Sequence, residues 1–159
     1  MPRLSARSGL LGLRSSAFQL IRGSWCADNL SCETVGVRDF KELKVWERSH
    51  RLVLHVYNAT GRFPREETYG LTAQLRRCSA SIPANIAEGC GRSGEAELRR
   101  FMLISMGSAS ELEYHLLLAH DLGYLDNREY QQLYRETQDV KRMLSTLITK
   151  LHQTRRPTS

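Results

Sequence analysis

Residues 130–151, YQQLYRETQDVKRMLSTLITKL, decide the fold of this chain. Core-type side chains recur there at alternating intervals of three and four residues: Tyr130, Leu133, Thr137, Val140, Leu144, Leu147 and Leu151. This spacing places all of them on a single face of an α-helix, as in the seam of a coiled coil. Asp126 precedes the helix as an N-cap, with Glu129 three residues on as a capping-box partner. The stretch therefore predicts a long amphipathic helix whose apolar face needs partners.

Three further helices are predicted upstream, over residues 41–60, 67–90 and 94–122. Each carries a stripe of core residues at helical spacing. These stripes are Val45, Trp46, Ser49, Val53, Val56 and Tyr57; then Leu71, Leu75, Cys78, Ile82 and Ile86; then Leu98, Phe101, Ser105, Ala109, Leu112, Leu116 and Ala119. Short loops join the helices, and no alternating strand pattern competes. The sequence therefore predicts an all-α fold, an up-down-up-down antiparallel four-helix bundle over residues 39–152.

The composition fits one globular domain and gives weak guidance on function. The chain has 159 residues, of which 41% are hydrophobic and 25% charged. No apolar run approaches the roughly 18 residues that a membrane span needs, so no membrane partner is expected. Four cysteines show no CxxC spacing, which favours reduced thiols in a cytosol. The net charge of +6 favours a polyanionic partner only weakly.

The two ends of the chain differ from the bundle in composition. Residues 1–38 contain five arginines and two acidic residues, and so supply +3 of the net charge. We interpret them as a disordered N-terminal extension or as upstream sequence translated from a misplaced start, with Val35 or Val37 as the native start. The arginine- and serine-rich composition also resembles an organelle transit peptide. Residues 153–159 form a short basic tail.

The helix predicted over residues 94–122 is apolar on a second side. That side carries Leu103, Ile104, Tyr114, Leu117 and Leu118. A helix that is apolar nearly all round is buried on both sides, whereas a lone four-helix bundle leaves one face of each helix in water. We therefore expect these five residues to form the interface of a homo-oligomer.

Polar residues gather beside the apolar stripe of the helix over residues 67–90. They are Gln74, Arg77, Ser81, Asn85, Glu88 and Arg92, which we call the polar seam together with their candidate partners Arg100 and Glu111 on the next helix. Glu88 and Arg92 are neighbours one helical turn apart. The hydroxyls of Ser79 and Ser81 are expected to bond the backbone groups that Pro83 leaves free. The polar seam predicts hydrogen bonding between helices or between subunits.

Four motifs carry a resemblance to a known family: FPREETYGL (63–71), QLRR (74–77), SIPANIAEG (81–89) and GSASELE (107–113). Over about residues 39–152 the chain resembles the four-helix-bundle family related to the 23S rRNA intervening-sequence proteins. The resemblance implies a bacterial, cytoplasmic protein, often a ring-shaped homopentamer, with suspected nucleic-acid binding and no catalytic activity. A related branch, the accessory proteins of diversity-generating retroelements, binds a reverse transcriptase. Residues 1–38 have no counterpart in the family.

The sequence holds no complete pattern for a di-iron site or a hydrolase. A di-iron site in a bundle needs Glu-x-x-His on two helices, and this sequence has it once, from Glu47 to His50. It also has no GxSxG and no P-loop, so we expect no enzyme and no cofactor. Basic residues offer better candidates for a binding site. We predict nucleic-acid binding through Lys41, Lys44, Arg48, Arg51, Arg76 and Arg99, which would contact phosphates without reading sequence. A protein-binding adaptor, for example for a reverse transcriptase, and a purely structural oligomer remain as alternatives.

Overall fold

The structure is a computed structural model in which residues 39–153 are described. Four α-helices span almost all of this region: α1 (Lys44–Thr60), α2 (Leu71–Gly91), α3 (Glu95–Asp121) and α4 (Asn127–Gln153). Single 3-10 turns at Phe40–Glu42 and Arg65–Glu67 precede α1 and α2. No strand occurs among residues 39–153, so the all-α prediction is confirmed. The interpretations given for residues 1–38 and for the basic tail beyond Gln153 lie outside the described residues.

Both α1 and α2 begin later than predicted, because a separate 3-10 turn precedes each helix. Asp39 accepts a hydrogen bond from the backbone N–H of Lys41 at 3.0 Å, and extended backbone at Leu43 then separates this turn from α1. Glu67 was expected inside the second helix. Its carboxylate instead accepts a hydrogen bond from the backbone N–H of Leu71 at 2.8 Å, so it caps the start of α2.

The start of α4 agrees with the predicted N-cap. The carboxylate of Asp126 accepts a hydrogen bond from the backbone N–H of Glu129 at 2.8 Å, as an N-cap does. The side chain of Glu129 forms an ion pair with Arg62 in the loop after α1. Gly123 ends the preceding turn with a φ of 76°, a left-handed conformation that favours glycine.

Contacts between side chains fix the directions of the helices. Arg77 pairs with Glu111 and Ser81 with Ser108, so residue numbers rise along α2 as they fall along α3. The same reversal relates α1 to α4 through His55–Glu136 and Arg62–Glu129. It also relates α3 to α4 through Glu113–Lys141 and His120–Tyr130. Three antiparallel pairs in a ring of four helices make α1 antiparallel to α2, which is the up-down-up-down arrangement.

Every residue of the core stripes predicted for α2 and α3 is buried. Of the seven residues predicted for α4, five are buried, and Tyr130 and Leu147 are half-buried. The stripe predicted for α1 is partly wrong. Tyr57 is exposed, and Trp46 and Val53 are only half-buried, whereas Leu52 is fully buried. The cause is that α1 packs between α2 and α4, so its inward face is centred on Leu52 and Val56.

Two features of α2 explain the stretch SIPANIAEG. Gly89 lies against α3 so closely that an added Cβ would stand 2.8 Å from the Cβ of Phe101 and 3.2 Å from the Cδ1 of Leu98. Only glycine fits this position without movement of α3. This close approach of α2 to α3 therefore explains why the motif ends in glycine.

Around Pro83, side chains supply hydrogen bonds to backbone carbonyls of α2. Ser105 donates from α3 to the carbonyl of Ile82 at 3.1 Å, and Asn85 donates to the carbonyl of Ser81 at 2.7 Å. The role expected for the Ser79 hydroxyl is wrong, because it donates to the carbonyl of Arg76 at 3.0 Å, one turn earlier. α2 continues through the proline without a break.

Candidate functional site

The predicted basic stripe lies mainly on one side of α1. Lys41, Lys44, Arg48 and Arg51 are all exposed, and the last three follow each other at helical spacing. Arg51 stands 3.7 Å from Glu47, one turn away, in a surface ion pair of little energetic weight. Lys44 and Arg48 form no ion pair with another described residue. The stripe therefore presents cationic groups to solvent.

Acidic side chains of α4 border this stripe. Arg48, Arg51 and His55 line a small groove together with Glu136 and Asp139, with about 130 Å³ of accessible space. His55 Nδ1 lies 2.7 Å from Glu136, and Asp139 forms an ion pair with Arg142. These carboxylates weaken the positive field of Arg48 and Arg51, as the exposed Asp39 and Glu42 do beside Lys41.

Arg76 and Arg99 lie apart from the stripe, on α2 and α3. Arg76 is half-buried, donates from Nε to the Thr60 hydroxyl at 2.9 Å and lies 4.9 Å from the centre of the Tyr57 ring. Arg99 is also half-buried, and its Nε is buried with no hydrogen-bond partner in the described region. The six residues predicted to bind nucleic acid therefore do not form one surface, and Arg76 has a structural role.

The charge of the bundle itself is small. Residues 39–153 hold 16 Lys and Arg against 15 Asp and Glu, a net charge of +1. The remainder of the +6 comes from residues 1–38 and 154–159. Any attraction of the bundle for a polyanion must therefore arise from local patches such as the α1 stripe.

The polar seam joins α2 to α3 at its centre. Arg77 forms an ion pair with Glu111 across the two helices and donates two hydrogen bonds to the side-chain oxygen of Gln74, at 2.9 and 3.1 Å. His115 Nε2 lies 3.7 Å from the same Glu111 carboxylate. The hydroxyls of Ser81 and Ser108 are 2.9 Å apart. These contacts fix the register of α2 against α3.

The outer members of the polar seam pair within their own helices. Glu88 binds Arg92 at 2.6 Å, and this hydrogen bond raises the pKa of the Arg92 guanidinium. Arg100 was considered as a partner for an acidic residue of α2 but pairs with Glu97 on its own helix, at 3.3 Å. Asn85 bonds the Ser81 hydroxyl at 3.0 Å as well as its carbonyl. Arg100 therefore does not take part in the contact between helices.

The second apolar side of α3 is exposed in the single chain. Leu103, Ile104, Tyr114 and Leu117 each leave at least two fifths of their surface in solvent, with Tyr114 at 60%. Leu118 differs, because it is half-buried and packs against the core. We call the first four residues the apolar face of α3. Exposed apolar side chains grouped in this way are typical of an interaction surface, and the subunit interface itself stays a prediction.

Sequence reasoning missed a second group of exposed apolar side chains, on the outward side of α1. Leu54 is 54% exposed, and Tyr57 is exposed beside it, one turn along. Trp46 and His50 stack at 5.2 Å between ring centres at the other end of the helix. Tyr57 had been assigned to the core from its spacing. In the sequence, Leu54 could have indicated this exposed apolar side of α1, because it is an apolar residue outside the predicted core stripe.

The described residues offer no metal centre, and the environment of Cys78 keeps its thiol unreactive. No group of three or more His, Cys, Asp or Glu lies close enough in residues 39–153 to hold a metal ion. Cys78 and Cys90 are both buried. Burial raises the pKa of the Cys78 thiol from 9.0 to about 12, so it stays protonated at neutral pH. In this part of the chain, no helix has the length and hydropathy to cross a membrane.

Comparisons with known proteins agree with the fold. A family model described as 23S rRNA-intervening sequence protein matches residues 41–146. A crystal structure of a protein of unknown function, from the S23 ribosomal protein family of Bacteroides thetaiotaomicron, superposes with a TM-score of 0.62. The two chains are 23% identical, and the match covers 65% of this chain and 97% of that one. At that identity the likeness shows a shared fold. A search of curated proteins returned no match.

Proposed function

The chain belongs to the 23S rRNA-intervening sequence protein family, and on that premise we propose that it works without catalysis, as a homo-oligomer that binds the phosphate backbone of RNA or DNA. The observation that carries this proposal is the basic stripe of α1, where Lys41, Lys44 and Arg48 are exposed. Such side chains bind phosphates, release condensed counterions and carry no sequence information.

The oligomer matters for affinity because the bundle is almost neutral. Three cations from one copy give weak binding at physiological salt, since each phosphate contact adds a small electrostatic increment. An oligomer repeats the stripe once per subunit and adds the fields of all copies. The apolar face of α3 supports self-association, and the five-subunit ring that the family resemblance implies stays a prediction.

Charge reversal on the stripe tests the nucleic-acid part of this proposal. Lys41, Lys44 and Arg48 are all changed to Glu, and binding of labelled RNA and duplex DNA is measured by fluorescence anisotropy. A matched control reverses three exposed arginines elsewhere, Arg65, Arg128 and Arg135. Both variants change the net charge equally, so only the position of the charge differs between them.

We expect the stripe variant to lose affinity for every sequence tested and the control to lose far less. The logarithm of the wild-type affinity should fall linearly with the logarithm of salt concentration, with a slope of about 0.9 per phosphate contacted on duplex DNA. Absence of wild-type binding at about 50 mM salt, or equal losses in the two variants, would contradict the proposal. Circular dichroism establishes that both variants keep their helices.

A second candidate function, a protein-binding adaptor, is favoured by one specific observation. Tyr69, in the loop between α1 and α2, is 94% exposed. Aromatic side chains of this kind often anchor protein interfaces. If the chain acts as the retroelement branch does, it should co-elute with a purified reverse transcriptase of a diversity-generating retroelement, and Tyr69→Ala should abolish co-elution. Separate elution of the two wild-type proteins would exclude that partner.

A further inference from the structure

The groove between α1 and α4 brings basic, acidic and aromatic side chains together. It is the groove of about 130 Å³ described above, with Arg48, Arg51 and His55 on α1 and with Glu136 and Asp139 on α4. We propose that this groove binds an unpaired guanine base of a single-stranded nucleic acid. The carboxylates of α4 would bond the edge of the base, and the cations of α1 would bond the phosphates beside it.

This inference rests on the proposed function and adds a contact with a base to the contacts with phosphates. Phosphate binding by itself gives no reason for carboxylates at the site, because they repel every strand equally. Glu136 and Asp139 nevertheless share the groove with Arg48 and Arg51. Carboxylates are useful at a nucleic-acid site where they accept hydrogen bonds from the amino group of a base. A base contact therefore accounts for the mixture of charges in the groove.

The two carboxylates keep acceptor sites for a ligand. An ionised carboxylate has roughly four lone-pair sites on its two oxygens. One oxygen of Glu136 lies 2.7 Å from His55 Nδ1, and the other accepts a hydrogen bond from Gln132 at 3.2 Å. Asp139 bonds Arg142 through its Oδ1. Both carboxylate side chains are half-buried, so they remain accessible from the groove.

Guanine is the base whose edge fits a carboxylate best. Its Watson–Crick edge carries two neighbouring donors, the N1–H and the N2 amino group, which match the two oxygens of a carboxylate. Uracil carries a single N–H on that edge, between two carbonyl oxygens that a carboxylate repels. In a duplex this edge of guanine is occupied by cytosine. Only a single strand, a loop or a bulge can therefore present it to the groove.

Flat side chains in the groove can hold such a base in place. His55, Arg48 and Arg51 are all exposed. Unpaired bases stack on histidine rings and on the planes of arginine guanidinium groups. Lys44 lies one turn before Arg48 on the same side of α1 and can bind the phosphate next to the base. The groove thus offers each kind of contact that an unpaired nucleotide makes.

A second cavity continues the groove toward the end of α1. It measures about 90 Å³, shares His55 with the first cavity, and is lined also by Asn58, Arg62, Glu129 and Gln132. The amide side chains of Asn58 and Gln132 carry both donors and acceptors, so they can bond any base. This cavity has room for contacts with the neighbouring nucleotide and brings no base preference of its own.

Strands that differ only in their bases test this inference. Three labelled RNA strands of equal length are compared by fluorescence anisotropy: one of uridine alone, one with guanosine at central positions, and one with inosine there. Inosine lacks the N2 amino group, and all three strands carry the same number of phosphates. We expect the guanosine strand to bind about 5- to 150-fold more tightly than the uridine strand, the discrimination of one bidentate contact. The inosine strand should lie between them.

Removal of the two carboxylate charges separates base contact from repulsion. The double variant Glu136→Gln with Asp139→Asn keeps the shapes of both side chains. We expect it to lose most of the preference for guanosine, while its affinity for the uridine strand rises because repulsion is removed. The matched control, Glu66→Gln with Asp121→Asn, removes two exposed carboxylates outside the groove and should keep the preference. Circular dichroism establishes that both double variants keep their helices.

Two results overturn the inference. One is equal wild-type affinity for the uridine and guanosine strands, and the other is a guanosine preference that persists unchanged in the groove variant. In either case the proposed function stands or fails separately, by the binding of duplex DNA. If the groove variant does not fold, the wild type still decides, because equal affinity for guanosine and inosine strands would exclude a contact with the N2 amino group.

Discussion

The contact between Gly89 and α3 gives the sharpest prediction for the fold, because one added methyl group must move a helix. In Gly89→Ala the new Cβ would stand 2.8 Å from the Cβ of Phe101, and ordinary contact begins at 3.4 Å. The Phe101 Cβ is fixed to the α3 backbone, so rotation of a side chain cannot relieve the overlap. The helices must separate by about 0.6 Å, which also stretches the 3.1 Å hydrogen bond from Ser105 to Ile82.

Two opposing terms set the size of the effect. Overpacking of a tight core contact costs typically 1–3 kcal/mol, while replacing glycine by alanine within a helix gains up to about 1 kcal/mol. We therefore expect Gly89→Ala to lower the free energy of unfolding by about 1–2 kcal/mol. For a domain of roughly 100 residues this corresponds to a fall of about 4–16 °C in the melting temperature.

Urea unfolding followed by circular dichroism, at one fixed protein concentration, measures this change. Gly91→Ala is the matched control, because it lies two residues further along α2 and its added Cβ meets no atom within 4 Å. The control should not lower the free energy of unfolding, and its helix propensity can raise it by up to about 1 kcal/mol. If Gly89→Ala is as stable as Gly91→Ala, the helices are not in the close contact described, and the reasoning fails.

Three further predictions concern stability. Cys78 should resist Ellman's reagent at pH 8 until the protein is unfolded, because burial raises the pKa of its thiol from 9.0 to about 12. The unfolded state therefore loses this proton at a lower pH than the folded state does, and urea melts should show the free energy of unfolding falling as the pH rises above 9. Asp126→Ala should cost about 1 kcal/mol in urea unfolding by removing the N-cap of α4, and an unchanged midpoint would count against the cap. Ser105→Ala should also cost about 1 kcal/mol through its lost bond to Ile82, with Ser110→Ala, an exposed position on the same helix, as the comparison.

Local spacing was sufficient to predict most of the fold. The stripe of α2 faces the core because it is one continuous set of apolar positions. The stripe of α3 was also correct, although that helix is apolar on a second side, and Asp126 marks the start of α4 by its own chemistry. For α1 the spacing was ambiguous, since apolar residues occur on more than one side of it. Packing between α2 and α4 selects Leu52 for the core and leaves Tyr57 outside, and that choice depends on contacts distant in sequence.

The candidate site was harder to predict for the same reason. The pairing of Glu88 with Arg92 follows from a separation of four residues, and it is present. The use of Arg76 by Thr60 and Tyr57 depends on how α1 meets α2. Spacing within α1 shows which cations share a face, but it cannot show that acidic residues of α4 stand beside them.

The antiparallel pairing of α1 with α4 has a consequence for the order in which the helices can follow one another along the chain. Since His55 meets Glu136 and Arg62 meets Glu129, the beginning of α1 and the end of α4 lie at the same end of the bundle. Neighbouring ends of this kind can be joined by a short linker, and the chain can be reopened at the exposed residues 92–94 between α2 and α3. A circular permutant of helix order α3–α4–α1–α2 would then keep every contact between helices. The four helices therefore form a closed ring of contacts, and the fold does not depend on which of the connections between them is open.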